Sequence, residues 1–217
     1  MKQYDLLAMR LVDAFEMYVA AVAGIKAMTQ GAGLTGTNPS VKNTIERMRE
    51  SFVVEARATM LRYQIDHQVD DVEELGGRAD TRMEKVMREV GDIAKQVATK
   101  ANRELAIGGG NLADAMTGKT QALGELLQRR MARPKFEVKD TAGRSWEAKK
   151  LLRTVVRDFA YQTSIDADFA EAVRADVKTV HVSDGTTIEL NEGWAQKRDE
   201  VFHINSKKEV SDAPVQA

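Results

Sequence analysis

Three histidines are the residues of this 217-residue chain best suited by type to acid–base or metal chemistry. His67 stands among Asp66, Asp70 and Asp71, a helical spacing of imidazole and carboxylates that would suit a divalent cation. The same grouping is what a solvated helix face looks like, and that reading takes precedence. His181 falls between Val180 and Val182 in a strand pattern, which turns it away from the side the valines bury. With His203 it would supply the acid–base pair of a small nuclease, yet the spacing fixes no Tyr, Arg or Glu around the two. Asp166, Asp168 and Glu171 have the right types for proton transfer but read as the solvent face of a helix. The chain has no cysteine, which removes disulfides, thiolate ligands and cysteine nucleophiles together. No catalytic, cofactor-binding or metal-binding residue is assigned, and the chain reads as a non-enzyme.

Anion binding is the next chemistry to weigh. Gly108, Gly109 and Gly110, followed by Gly118, Lys119 and Thr120, have the composition of a phosphate loop. No strand pattern precedes them, and the motif's first glycine is missing from its place. A basic run is more informative: Arg129, Arg130, Arg133, Lys135, Lys139, Arg144, Lys149, Lys150, Arg153 and Arg157 with few interleaved acids. Within it Arg129, Arg130, Arg133, Lys149 and Lys150 are the candidates for meeting phosphates or an acidic protein surface. A solvated helix face and loop is the simpler account. No aromatics alternate with these cations to stack on bases, and the formal net charge of -1 argues against a globally basic nucleic-acid binder.

The elements that would position these residues are mostly helical. Hydrophobic residues make up 43% of the chain, charged residues 30% and aromatics only 6%, the mixture used by long amphipathic helices. Tyr4, Ala8, Leu11, Phe15, Tyr18, Val22 and Ile25 recur by fours and threes, and Leu11, Phe15, Tyr18 and Val22 are taken as a helix-pairing surface, within or between chains. Asp5, Arg10, Asp13 and Glu16 interrupt the segment, and Met17 to Ile25 is too short to cross a bilayer, so no targeting or anchoring segment is evident.

After a glycine-rich linker near 31–36, Asn38 and Pro39 signal a second helix. Its stripe of Val41, Ile45, Met48, Phe52, Ala56, Met60 and Tyr63 continues, with a phase shift, to Leu75 and should stop at Gly76 and Gly77. A third helix is predicted from Asp80 to Leu105, and a fourth from Leu112 to Met131, closed by Pro134. The fifth is predicted to be capped by Ser145, with Trp146 at its first position and Glu147 in its first turn.

Residues 178–183 and 186–190 then alternate as strands around a two-residue Asp184–Gly185 turn, and 201–204 suggests a third strand. The expected fold is mainly α: four amphipathic helices over 1–131, a small α+β module of long helix plus β-hairpin over 132–204, and a flexible polar tail over 205–217.

One combination of residues goes beyond general pattern. Asp140, Gly143, Arg144 and Trp146 in DTAGRSW precede Arg153 and Thr154 in LLRT, and these precede Ser183, Asp184 and Gly185 in VHVSDG. Over roughly 132–187, about a quarter of the chain, this resembles the module of tailed-phage minor head proteins, the Mu F-like head morphogenesis and minor capsid family. The sequence departs from that pattern in having no Tyr at the usual distance after Trp146 and in carrying TTIELNEG where a Cys- or His-bearing loop often follows.

The resemblance implies a virion protein of few copies, inside the head near the portal, acting in head assembly or genome delivery. Its implied partners are the portal protein, other copies of itself and, non-specifically, packaged DNA. A variant of this reading is an ejection protein released with the DNA to build a conduit through the host envelope, the only case that brings in a membrane. From another class, the alternative is the small nuclease using His181 and His203. No cofactor is implied.

Overall fold

Long helices with short hairpins between them make up the chain in a computed structural model, which describes residues 3–31, 39–69, 72–107, 136–182 and 186–209. In chain order the elements are α1 (Gln3–Gly31), α2 (Pro39–Asp66), α3 (Glu73–Ile107), β1 (Glu137–Lys139), β2 (Ser145–Glu147), α4 (Ala148–Arg174), β3 (Thr179–His181), β4 (Thr187–Glu189) and α5 (Trp194–Glu209). The fold is mainly helical with a small strand component of two antiparallel hairpins, β1–β2 and β3–β4. The fourth expected helix, the triple glycine, Gly118, Lys119 and Thr120, and the Asp184–Gly185 turn lie outside the described residues, as do 32–38 and 210–217.

The residues group into two compact units, each built from separated segments on both sides of Met131. One comprises Met9–Ala58 and Met87–Arg153, the other Met1–Ala8, Thr59–Val86 and Thr154–Ala217.

In the first unit, Leu11, Phe15, Tyr18 and Val22 of α1 are all buried, as are Ile45 and Phe52 of α2 and Val90, Ile93 and Val97 of α3. Phe52 takes Phe15 at 5.4 Å between ring centroids and stacks on Tyr18 at 5.5 Å. Each such side chain contributes about 1.5–3 kcal/mol by leaving water. The hairpin β1–β2 adds Val138 from one strand to this core, while Trp146, directly opposite it, is half-buried. Gln96 of α3 fixes the outer edge of β1: its side-chain amide donates to the Lys139 carbonyl at 2.8 Å and accepts the Lys139 N–H at 2.7 Å. Lys100 donates to the carbonyl of Glu137 on the same edge.

In the second unit, Val69, Val72, Leu75 and Ala79 pack with Ile165, Phe169 and Ala170 of α4, Ile188 of β4, and Trp194, Ala195 and Phe202 of α5. Phe169 is the centre of an aromatic group, stacked on Trp194 at 5.4 Å and edge-on to Phe202 at 6.1 Å. The α4 C-terminus closes with Asp176 at φ 53°, its N–H on the Val173 carbonyl at 3.1 Å and the Val177 N–H on that of Ala172 at 3.0 Å. That is a Schellman stop with Asp in the place usually held by Gly.

Several local expectations are corrected. The break between α2 and α3 falls at 67–72, where Gln68 has φ 50°, and Gly76 and Gly77 lie inside the first turns of α3. Burial of Leu75 and Ala79 on either side outweighs the roughly 1 kcal/mol that each glycine costs a helix. Ser145 is no N-cap: Ser145, Trp146 and Glu147 form β2, and the helix starts at Ala148. In the second hairpin His181 pairs with Thr187, and the Val182 N–H bonds the Thr186 carbonyl at 2.8 Å. The third strand expected at 201–204 is part of α5, which also takes in the tail as far as Glu209.

Candidate functional site

The DTAGRSW stretch folds around one carboxylate. The Asp140 side chain accepts from the Ala142 N–H at 3.0 Å, the Arg144 N–H at 2.8 Å, Arg144 Nε at 2.7 Å and Trp146 Nε1 at 2.9 Å. Its own N–H donates to the Arg144 carbonyl at 3.0 Å, and the Gly143 N–H to its carbonyl at 2.9 Å. Gly143 has φ 79°, the left-handed position that closes a three-residue hairpin loop and that a side chain would strain. Arg144 also lies 5.8 Å from the Trp146 ring centroid. Burial pushes the Asp140 carboxyl up, and the hydrogen bonds from Arg144 and Trp146 outweigh this, holding it below the ordinary carboxylate range.

Four motif residues thus form one tied loop, with Arg144 exposed and Trp146 presenting part of its ring. Arg153 is exposed on α4 and Thr154 half-buried beside it. Ser183, Asp184 and Gly185 lie outside the described residues.

The unforeseen centre belongs to the other unit. Asp166 is fully buried, not on a solvent face, and meets two guanidinium groups: Arg82 Nη1 is 2.5 Å from Oδ2, and Arg198 Nη2 is 2.6 Å from Oδ1. The second approach is a charge contact without hydrogen-bond alignment. Arg198, only 2% exposed, also donates to the Gln162 carbonyl at 3.0 Å and to Asp199 at 2.9 Å, and lies 5.5 Å from the Phe202 ring centroid. Arg78 pairs with Asp199. Burial pulls the Arg198 guanidinium down to about 10, while Asp166 acts in the opposite sense. It stays charged at neutral pH. The ions bind α5 to α3 and α4. Trp194, Arg198 and Phe202 recur every four residues, a helical signal hidden by the charge at its centre.

His67 sits in the turn after α2, Nδ1 2.8 Å from the Tyr63 carbonyl oxygen and its ring 4.1 Å from the Tyr63 ring. No cluster of three metal-ligating side chains occurs among the described residues. His181 is exposed on β3, as its place between valines predicts, with Nδ1 3.2 Å from Thr187 Oγ1. His203 lies in α5 instead of a strand. Asp168 and Glu171 are exposed; partial burial and then Glu171 push the Asp168 carboxyl up, against an opposing effect of His67.

The basic run is partly neutralised. Lys149 pairs with Glu16, and Arg157 Nε lies 3.1 Å from Asp5 Oδ1, so acids of α1 answer bases of α4. Lys150 and Arg153 are exposed; Arg129, Arg130 and Arg133 lie outside the described residues. Leu11, Phe15, Tyr18 and Val22, taken as a pairing surface, are buried within the chain and unavailable to another copy in this conformation. Among the described residues, no helix is long and apolar enough to cross a membrane. No family model, curated protein or solved structure matches the chain.

Proposed function

We propose that this chain is a structural component of a tailed-phage virion, a minor head protein held near the portal and acting in head assembly or genome delivery. The observation that carries the reading is the tied loop of Asp140, Gly143, Arg144 and Trp146, which leads through β2 directly into α4 with Arg153 and Thr154, and from α4 into β3. Of the residues that resemble the minor head module, the tied loop joins Asp140, Gly143, Arg144 and Trp146, while Ser183, Asp184 and Gly185 lie outside the described residues.

The test is to purify particles from the source, eject their DNA in vitro, and quantify the protein by mass spectrometry before and after. Presence in the particle supports the reading. Retention after ejection identifies a portal-bound head component, and loss with the DNA identifies an ejection protein. Absence from particles overturns it.

A further inference from the structure

Helix α2 has two apolar faces. Phe52, Ala56 and Met60 point into the protein and are buried. On the opposite side Val54, Ala58, Leu61 and Ile65 follow one another at spacings of four, three and four, which keeps them on one narrow stripe of a 3.6-residue helix. All four are exposed, Val54 at 68%, Leu61 at 44% and Ile65 at 58%. Scattered exposed apolar residues are ordinary, but a periodic seam opposite a core face is the pattern of a helix that has a second partner.

The charges beside the seam say what that partner is. Glu55 and Arg62, seven residues apart, flank one side; Glu50 and Arg57, also seven apart, flank the other. A parallel pair of these helices would set Arg57 against Arg62 and Glu50 against Glu55 of the second copy, like charge on like charge along both sides. An antiparallel pair with Val54 over Ile65 and Ala58 over Leu61 sets Glu55 against Arg62 of the second copy, and the two-fold axis repeats the pairing. Neither Glu55 nor Arg62 makes an ion pair among the described residues, and both are exposed. The seam is thus self-complementary in one orientation and repulsive in the other.

We infer that α2 docks antiparallel on α2 of a second copy of this chain, through Val54, Ala58, Leu61 and Ile65 with Glu55–Arg62 pairs at the rim. The inference does not depend on the virion reading, since it concerns the isolated protein. Four side chains from each copy make a small contact, so the dimer belongs to the reversible class of interfaces at or below about 1,200 Å².

The experiment uses the full chain. Sedimentation equilibrium between about 1 and about 100 µM should show a monomer–dimer equilibrium. Leu61→Glu should abolish it, with helix content unchanged by circular dichroism. Glu55→Arg should weaken it roughly tenfold, and Glu55→Arg combined with Arg62→Glu should restore it. The absence of native cysteine allows a direct reading of orientation. Under oxidation, a mixture of Val54→Cys and Ile65→Cys proteins should form a disulfide-linked heterodimer, and neither variant should link to itself. A monomer throughout, a dimer indifferent to Leu61→Glu, or self-linking of each cysteine variant would each overturn the inference.

Discussion

The indole N–H of Trp146 donates to the Asp140 carboxylate at 2.9 Å, so the residue that opens the first hairpin loop also holds the side chain at the middle of its second strand. Loop geometry and strand position are one constraint. A carboxyl depressed in the folded state stabilises its surroundings above its unfolded pKa of about 3.9, and that contribution is lost as pH falls through the lower folded value. The Trp146 indole N–H resonance should hold its position above about pH 4 and move as the solution is acidified further. Asp140→Ala should show the displaced position already at neutral pH. A resonance indifferent to both changes would mean that Asp140 does not organise the loop.

Tyr18 donates its hydroxyl to the Ala94 carbonyl at 3.0 Å within the core, and burial, partly offset by Arg49, pushes its pKa well above the ordinary value. A group whose folded pKa is raised contributes stability below its unfolded pKa, about 10 here, and loses it as pH rises toward the folded value. Alkaline titration at the phenolate absorbance band should therefore leave one tyrosine un-ionised until the protein unfolds. Tyr18→Phe should remove that late step and cost about 0.5–1.5 kcal/mol in denaturant unfolding at neutral pH.

Removing Arg198 leaves Asp166 buried beside Arg82 alone. Arg198→Met should destabilise the fold by about 3–5 kcal/mol in chemical denaturation, the cost of breaking a buried pair. Combining it with Asp166→Asn should cost clearly less than the sum of the single changes, because the second substitution removes the charge the first one strands. Additive losses would show that the two side chains do not act together.

The two tryptophans should differ. Trp194 is 5% exposed and stacked on Phe169, whereas Trp146 is half-buried. Trp194→Ala should cost about 3–5 kcal/mol, and Trp146→Ala measurably less. Equal losses in thermal or chemical unfolding would contradict this ranking.

The stripe of α1 was legible because Leu11, Phe15, Tyr18 and Val22 carry a clean three-and-four spacing, and Val180 and Ile188 were legible as strand residues turned toward the core. What misled was local chemistry overruled by packing. Gly76 and Gly77 look like a stop, yet Val72, Leu75 and Ala79 gain more by burial than the glycines lose. Ser145 has the type of an N-cap but pairs opposite Lys139, and Val201, which suggested a strand, is carried on the helix that seats Trp194, Arg198 and Phe202. Asp166 was misplaced for a different reason: a carboxylate within reach of two arginines from remote segments can be buried, and neither arginine is near it in sequence.

The amide of Gln96 occupies both hydrogen-bonding groups of Lys139, and Lys100 takes the carbonyl of Glu137, at the margin of β1 that faces away from β2. A helix side chain here imitates the peptide group of a neighbouring strand. An incoming chain would find three of the four backbone groups that Glu137 and Lys139 turn to that margin already taken, which disfavours strand addition on that side. In a protein that exposes apolar helix surface, this guards one unpaired strand edge against cross-β association.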